Sequence, residues 1–261
     1  MPTLITGGAG RLARELLPLL PDALAPTRSE LDVTDTAQVD AAVEALAARA
    51  NAPREPAVVV HAAAFTDVAR AERERDACFA VNVLGTRHVA AACARHGAVL
   101  VHVSTDYVFS GDSDPARAAR GGYREDDPRG PTRNHYAQTK LLAEDEARTA
   151  PPHLVLRTSF RPRAWPYETG FIDVRTSQAY VDELAPELAR AITLAPSLIA
   201  RGVHTLHVAG EPTTVFELAR RRKPDVRPAG KAEAGVDLPD DVVLDCALWR
   251  RLRSENAARG A

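Results

Sequence analysis

Short apolar runs alternate along this chain with longer stretches of helical period. "TLIT" (3–6), "AVVVHAAA" (57–64), "AVLVHVSTDYVF" (98–109) and "LVLRTS" (154–159) read as strands. "RLARELLPLL", "AERERDACFAVNVLGTRHVAAACARHG" and "YAQTKLLAEDEA" between them read as helices. Apolar runs without alternation, separated by helices, predict parallel strands covered on both faces, which is a doubly wound α/β sheet. The stretch from 110 to 134 is rich in Gly, Pro, Asp and Arg and holds no period, so it reads as a long loop that is either a lid or disordered. Beyond residue 160 the alternation weakens. "FRPRAWPYETGFIDVRTSQAY" predicts an irregular, pocket-lining segment, followed by a helix over 177–195, a strand at "HTLHVAG", a short helix at "TVFELARRR" and a last amphipathic stretch at "ALWRRLRSE". No internal repeat appears. The pattern divides the chain into 1–159, carrying most of the sheet, and 160–261, a small lobe interleaved with the last sheet elements.

Composition narrows the function. With 261 residues the chain has length for one large domain or somewhat more. The net charge of −2, with basic residues spread throughout, gives no field suited to nucleic acid or an anionic membrane. Cys78, Cys93 and Cys246 lie too far apart for a zinc site or a disulfide framework. The N-terminus lacks the basic and apolar regions of a signal peptide, and no stretch looks long and apolar enough to span a membrane. A soluble, cytoplasmic protein without a metal is expected.

The turn after the first strand, "TLITGGAGRLARELL", places Gly7, Gly10 and Ala13 in the spacing G-x-x-G-x-x-A. Glycine at 7 permits a tight turn, Gly10 lets a pyrophosphate approach the backbone, and Ala13 lets the helix pack close to the sheet. This points to a Rossmann-type dinucleotide site, against the alternative of a strand-to-helix turn without a ligand. The ribose is read at the end of the next strand, where an acid favours NADH and an Arg accommodates the 2′-phosphate of NADPH. Here "DALAPTRSELDVTD" offers Thr27, Arg28 and Ser29, which favours NADPH and leaves NADH possible, against the alternative that Arg28 is a solvated surface charge. Asp32 and Val33 stand either at the adenine edge or at the approach to the next helix.

The strand "AVLVHVSTDYVF" ends in Ser104, Thr105, Asp106 and Tyr107. Ligands of open parallel sheets sit beyond the carboxyl ends of the strands, so these groups either face a pocket or cap a turn. Tyr136 and Lys140, at i and i+4, share one face of a helix. An ammonium beside a phenol favours the phenolate and makes the tyrosine a stronger acid.

Taken in order, "TGGAGRLA", "LDVTD", "HAAAFTDVARAE", "VNVLGT", "VHVSTDYVFSG", "YAQTKLLAE" and "LRTS" resemble the extended short-chain dehydrogenase/reductase family, and within it the dTDP-4-dehydrorhamnose reductase branch. The resemblance covers residues 2 to 160. It implies Thr105, Tyr136 and Lys140 as the catalytic set, Tyr136 giving a proton and the nicotinamide a hydride. It also implies cofactor contacts from Gly7, Gly10, Arg11, Leu12, Asp32, Val33, Ala62, Ala63, Ala64, Val103, Tyr136 and Lys140. Sugar-nucleotide dehydratases resemble the same family but carry Thr-Asp-Glu where this chain has Thr105-Asp106-Tyr107, which argues against water elimination.

The likeness weakens after 160. Phe160 stands where the branch commonly has tryptophan, and the late Arg-Pro-x-Asn-Ser element is absent. An aromatic and an Arg suit a base and a pyrophosphate, which makes Phe65, Thr66, Phe160, Arg163 and Trp165, together with Thr105 and Asp106, the candidate substrate wall. For any one of them the alternative is a core aromatic or a surface charge. "LARRRKP" (218–224) either grips a diphosphate or faces water. The leading expectation is an NADPH-dependent reductase of a 4-keto-6-deoxyhexose nucleotide. Its alternatives are a sugar-nucleotide epimerase, a reductase of another carbonyl compound, and a non-catalytic NADP-binding regulatory subunit, with a homodimer left open. Retention of the Thr, Tyr and Lys set speaks against the subunit.

Overall fold

The computed structural model describes residues 1–50 and 55–259. Five parallel strands, Thr3–Thr6, Val58–His61, Val99–Ser104, His153–Arg157 and Thr205–His207, pair in that order. Alternate residues of each run face opposite layers. Ile5, Val58, Val60, Val99 and Val101 pack with helices Arg11–Leu16 and Val181–Ala200, whereas Leu4, Val59 and Leu100 pack with helices Thr36–Ala47 and Gly85–His96. Burial on both faces accounts for the unbroken apolar runs. The sheet is doubly wound and Rossmann-like.

One sheet expectation fails. Where a strand is expected before Thr27, only Leu24 pairs, as a single bridge to Leu4. Helix Val181–Ala200 begins four residues after the expected 177, because Ala179–Tyr180 are extended against Phe160–Arg161. That pair opens a smaller cluster. Thr169–Phe171 pairs with Arg227–Ala229, and Arg175–Thr176 with Thr213–Thr214, around Trp165, Val174, Val215, Ala219 and Val226. The chain returns to the sheet between these pieces, through Val181–Ala200 and Thr205–His207.

The segment 110–134 is ordered, which corrects the expectation of disorder. Asp114 caps a short helix, Pro115–Ala119, by accepting from the Ala116 and Arg117 amides at 2.9 and 3.2 Å. Bridges join Phe109 to Gly130 and Tyr123 to Leu244, and the Phe109 and Tyr123 rings stack at 4.1 Å. A second correction concerns length. The continuous helical stretch Arg75–His96 does reach the length and hydropathy of a membrane span, but half of that window is buried inside the protein, with Val89, Ala90, Ala92 and Cys93 in the sheet core.

Candidate active site

The glycine turn folds onto two neighbouring backbones. Gly7 has φ 75°, in the left-handed region, and a Cβ there would lie 2.9 Å from Ala63 Cα. At Gly8, which the motif leaves as an unassigned x, a Cβ would lie 1.9 Å from the Ala25 carbonyl oxygen. Gly10 donates to the Gly7 carbonyl at 2.8 Å and directly precedes helix Arg11–Leu16. Arg11 is exposed and the Leu12 side chain lies in the sheet core. Beside this turn is an open cleft lined by Ala9, Thr27, Arg28, Ser29 and Asp32.

Arg28, 77% exposed, reaches the Asp32 carboxylate at 3.4 Å. The Thr34 amide and hydroxyl donate to the other Asp32 oxygen at 2.9 and 2.8 Å and hold its carboxyl below the usual range. Asp35, not Asp32, caps the following helix. Asp32 is thus a turn residue on the cleft wall. Val33 is buried, 2.9 Å from where a Cβ on Gly85 would stand. The residues present fit a dinucleotide: a turn whose glycines at 7, 8 and 10 leave no room for a Cβ opens onto a cleft that holds an exposed guanidinium.

The second strand leads into Ala62, Ala63 and Ala64. The Thr6 hydroxyl accepts from the Ala62 and Ala63 amides at 3.2 and 3.1 Å and pairs with His61 Nδ1 at 2.9 Å. A residue that the sequence reading missed holds the next part of the loop. Asn82 accepts from the Phe65 amide at 2.8 Å, and donates to the Phe65 carbonyl at 3.2 Å and to Thr139 Oγ1 at 2.9 Å. It sits in a π-helical turn, Ala80–Leu84, of the kind often found at functional sites. Its signal was a polar residue inside the apolar run "AVNVLG". Thr66 is exposed.

Thr105, directly after the third strand, does cap a turn. Its hydroxyl accepts from the Tyr107 amide at 3.2 Å and donates to Asp106 Oδ1 at 2.9 Å. Asn134 caps helix His135–Ala147 by accepting from the Ala137 amide at 2.9 Å, and this helix carries Tyr136 and Lys140. The Thr105 hydroxyl acts on the Tyr136 phenol, whose ring meets Tyr107 edge-on at 6.3 Å. Lys140, 3% exposed, donates to the Val103 carbonyl at 2.8 Å and meets His102 Nε2 at 3.3 Å.

The expected electrostatics are corrected here. Burial first, then the Asp106 charge, raises the Tyr136 phenol, and the Thr105 hydrogen bond opposes them without reversing the shift. Burial pushes Lys140 down to about 8, against the Glu144 charge. Spacing puts ammonium and phenol on one helix face, but the ammonium turns to the strand. Asp106 is wholly buried, with Oδ2 unpartnered among the described residues, and burial pushes its carboxyl up to about 6 against Thr105, Ser159 and Arg161.

Behind Lys140 lies a buried ionic network. Glu144 accepts from Arg157 Nε and Nη2 at 2.8 and 2.9 Å and from Ser104 Oγ at 2.7 Å, and pairs with Arg129 and Arg148 at 3.3 and 3.2 Å. Arg157 also donates to the Glu125 carbonyl at 3.1 Å, which ties the 110–134 segment to the sheet.

Two expected wall residues are committed elsewhere. Arg163, 67% exposed, pairs with Glu15 at 2.6 Å, and Trp165 is a core residue whose indole donates to the Thr169 carbonyl at 3.1 Å. Phe160 is half-buried beside the sheet core. The guanidinium whose charge reaches Asp106 is the unassigned Arg161, which donates to Gln178 Oε1 at 2.7 Å. In "LARRRKP", Arg222 pairs with Asp182 and Glu183 and Lys223 with Glu168, so these two cations are already matched.

A glycine turn on the first parallel strand, with Thr105, Tyr136 and Lys140 gathered around the end of the third, defines an NAD(P)-dependent oxidoreductase of the extended short-chain dehydrogenase/reductase class. A family model described as the RmlD substrate binding domain matches residues 1–167. A dTDP-4-dehydrorhamnose reductase from Mycobacterium tuberculosis is 33% identical over 259 residues, covering 88% of this chain and 79% of that protein. One from Streptomyces griseus is 43% identical over 175 residues, 64% of this chain, which spans 50% of that relative's length. The crystal structure of the Bacillus anthracis dTDP-4-dehydrorhamnose reductase in complex with NADP superposes with a TM-score of 0.78 at 26% identity, covering 95% of this chain and 90% of that one. The chain belongs to the RmlD family of dTDP-4-dehydrorhamnose reductase-like proteins.

Proposed function

We propose that this protein reduces the 4-keto group of a 4-keto-6-deoxyhexose nucleotide to an alcohol, with NADPH as the reductant. The observation that carries the reading is the gathering of Thr105, Tyr136 and Lys140 around one strand end, on the same sheet as the glycine turn. Gly7 and Gly10 hold the pyrophosphate, Asp32 and Val33 border the adenosine, Arg28 meets the 2′-phosphate, and Ala62, Ala63, Ala64 and Val103 line the path between. When bound, the nicotinamide supplies the hydride. Thr105 orients the substrate carbonyl, and Tyr136, protonated at neutral pH because burial raises it, gives the proton to the new alkoxide. Thr66, Asp106, Phe160 and Arg161 form the substrate wall, with Arg161 replacing Arg163. Residues 1–159 hold the cofactor and most of 160–261 shapes the substrate site. Three buried free cysteines suit a cytoplasmic enzyme.

Incubation with a dTDP-linked 4-keto-6-deoxyhexose should consume one NADPH per alcohol formed, read by cofactor absorbance and product chromatography. Absence of turnover with this substrate class overturns the reading. Arg28→Ala should raise the NADPH KM roughly tenfold, the scale of one exposed charged hydrogen bond, and leave NADH nearly unchanged. Equal losses for the two cofactors would remove Arg28 from the 2′-phosphate.

A further inference from the structure

We propose that His102 is a positioning residue for Lys140: as a neutral acceptor on the third strand, it fixes where the buried ammonium sits and so which of its hydrogens is left for ligands. The inference rests on the reading of Lys140 as part of the reductase site. An ammonium has three donors. One goes to the Val103 carbonyl at 2.8 Å and a second to His102 Nε2 at 3.3 Å, so a single N–H remains.

Accepting at Nε2 places the histidine's own proton on Nδ1. That atom is buried and has no partner among the described residues. An unpaired buried N–H is costly, and this one is tolerated at a side chain in direct contact with the proposed catalytic lysine. The neighbouring buried histidine, by contrast, has both nitrogens satisfied. His61, whose ring lies 5.5 Å away, pairs with Thr6 at 2.9 Å and Thr86 at 3.1 Å.

The titratable and charged groups around this pair are Glu144 on the helix of Lys140, Cys78 on the preceding helical stretch, His61 on the second strand and Arg148, whose charge acts on His102. Glu144 favours the ammonium and burial opposes it. Burial and the Lys140 charge keep both histidines neutral. A neutral His102 therefore offers a lone pair to the ammonium and adds no competing charge.

Nitrogen NMR on histidine-labelled wild-type protein should show His102 neutral and protonated on Nδ1 throughout the neutral range. The opposite tautomer, or an ordinary titration, overturns the proposal. In steady-state kinetics, His102→Phe removes the acceptor, so the ammonium is less stabilised. The alkaline limb of the kcat profile should then move down by about one pH unit, and kcat should fall about tenfold with the sugar-nucleotide KM within about twofold. His102→Gln, whose amide oxygen can stand in for Nε2, should restore most of both. A folded Phe variant with the wild-type profile, or a Gln variant as impaired as Phe, overturns it. If the wild-type enzyme reduces no keto sugar nucleotide, the functional reading fails alone, and the NMR measurement still decides the placement of His102.

Discussion

Tyr136→Phe is expected to lower kcat by about 10²–10⁴-fold, the range of a lost general acid, while cofactor binding and stability stay near wild type. The substitution removes one oxygen. The ring can keep its edge-on contact with Tyr107 at 6.3 Å, and the helix keeps its Asn134 cap and the Thr139 hydrogen bond to the Tyr136 carbonyl at 2.8 Å. What disappears is the phenol that the Thr105 hydroxyl acts on. Because burial raises that phenol, it stays protonated well into alkaline solution, so its own ionisation does not set the alkaline limb of the wild-type profile. Lys140, pushed down to about 8, is the group whose charge is lost there as pH rises. Single-turnover rates with the variant separate chemistry from product release. A Phe variant that keeps more than about a tenth of the wild-type rate would remove Tyr136 from the acid role.

The parts of this fold that rest on local pattern were legible in the sequence. Four of the five sheet strands are continuous apolar runs, because each is covered on both faces, and Gly7 sits where the turn demands a positive φ. The parts held by distant contacts were not. The segment 110–134 lacks a period because its order comes from Tyr123 pairing across to Leu244 and from Arg157 reaching the Glu125 carbonyl. Similarly, spacing alone placed Tyr136 and Lys140 on one face. Only the packed strand beneath shows that the ammonium turns to Val103 and His102, so that burial rather than a neighbouring cation governs the phenol. Composition marked 160–165 as aromatic and basic. Which arginine approaches Asp106 depends on the pairing of Phe160–Arg161 with Ala179–Tyr180, a contact that no local signal encodes.

Glu144→Ala should destabilise the fold by about 3–5 kcal/mol, because it leaves the Arg157 guanidinium buried without its counter-charge. Arg157 and Glu144 are 1% and 0% exposed, and the carboxylate joins the third strand through Ser104, the fourth through Arg157 and the 110–134 segment through Arg129. A thermal midpoint lowered by roughly 10 °C is the scale to look for in a chain of this size. Glu144→Gln keeps the shape and some hydrogen bonds but not the charge, so it should fall between Ala and wild type. The pH dependence has a definite sign. Burial pushes the Glu144 carboxyl up, but the Arg157, Ser104 and Arg129 contacts outweigh it and hold the group below its ordinary 4.5. A depressed carboxyl contributes stability that is present above its unfolded pKa and lost as pH falls through the folded one. Wild-type protein should therefore weaken in acid below about pH 4.5, and Glu144→Gln should lose less over the same interval. Denaturant midpoints measured across that interval check this, and parallel slopes for the two proteins would show that the Glu144 carboxylate does not carry the charge of the network.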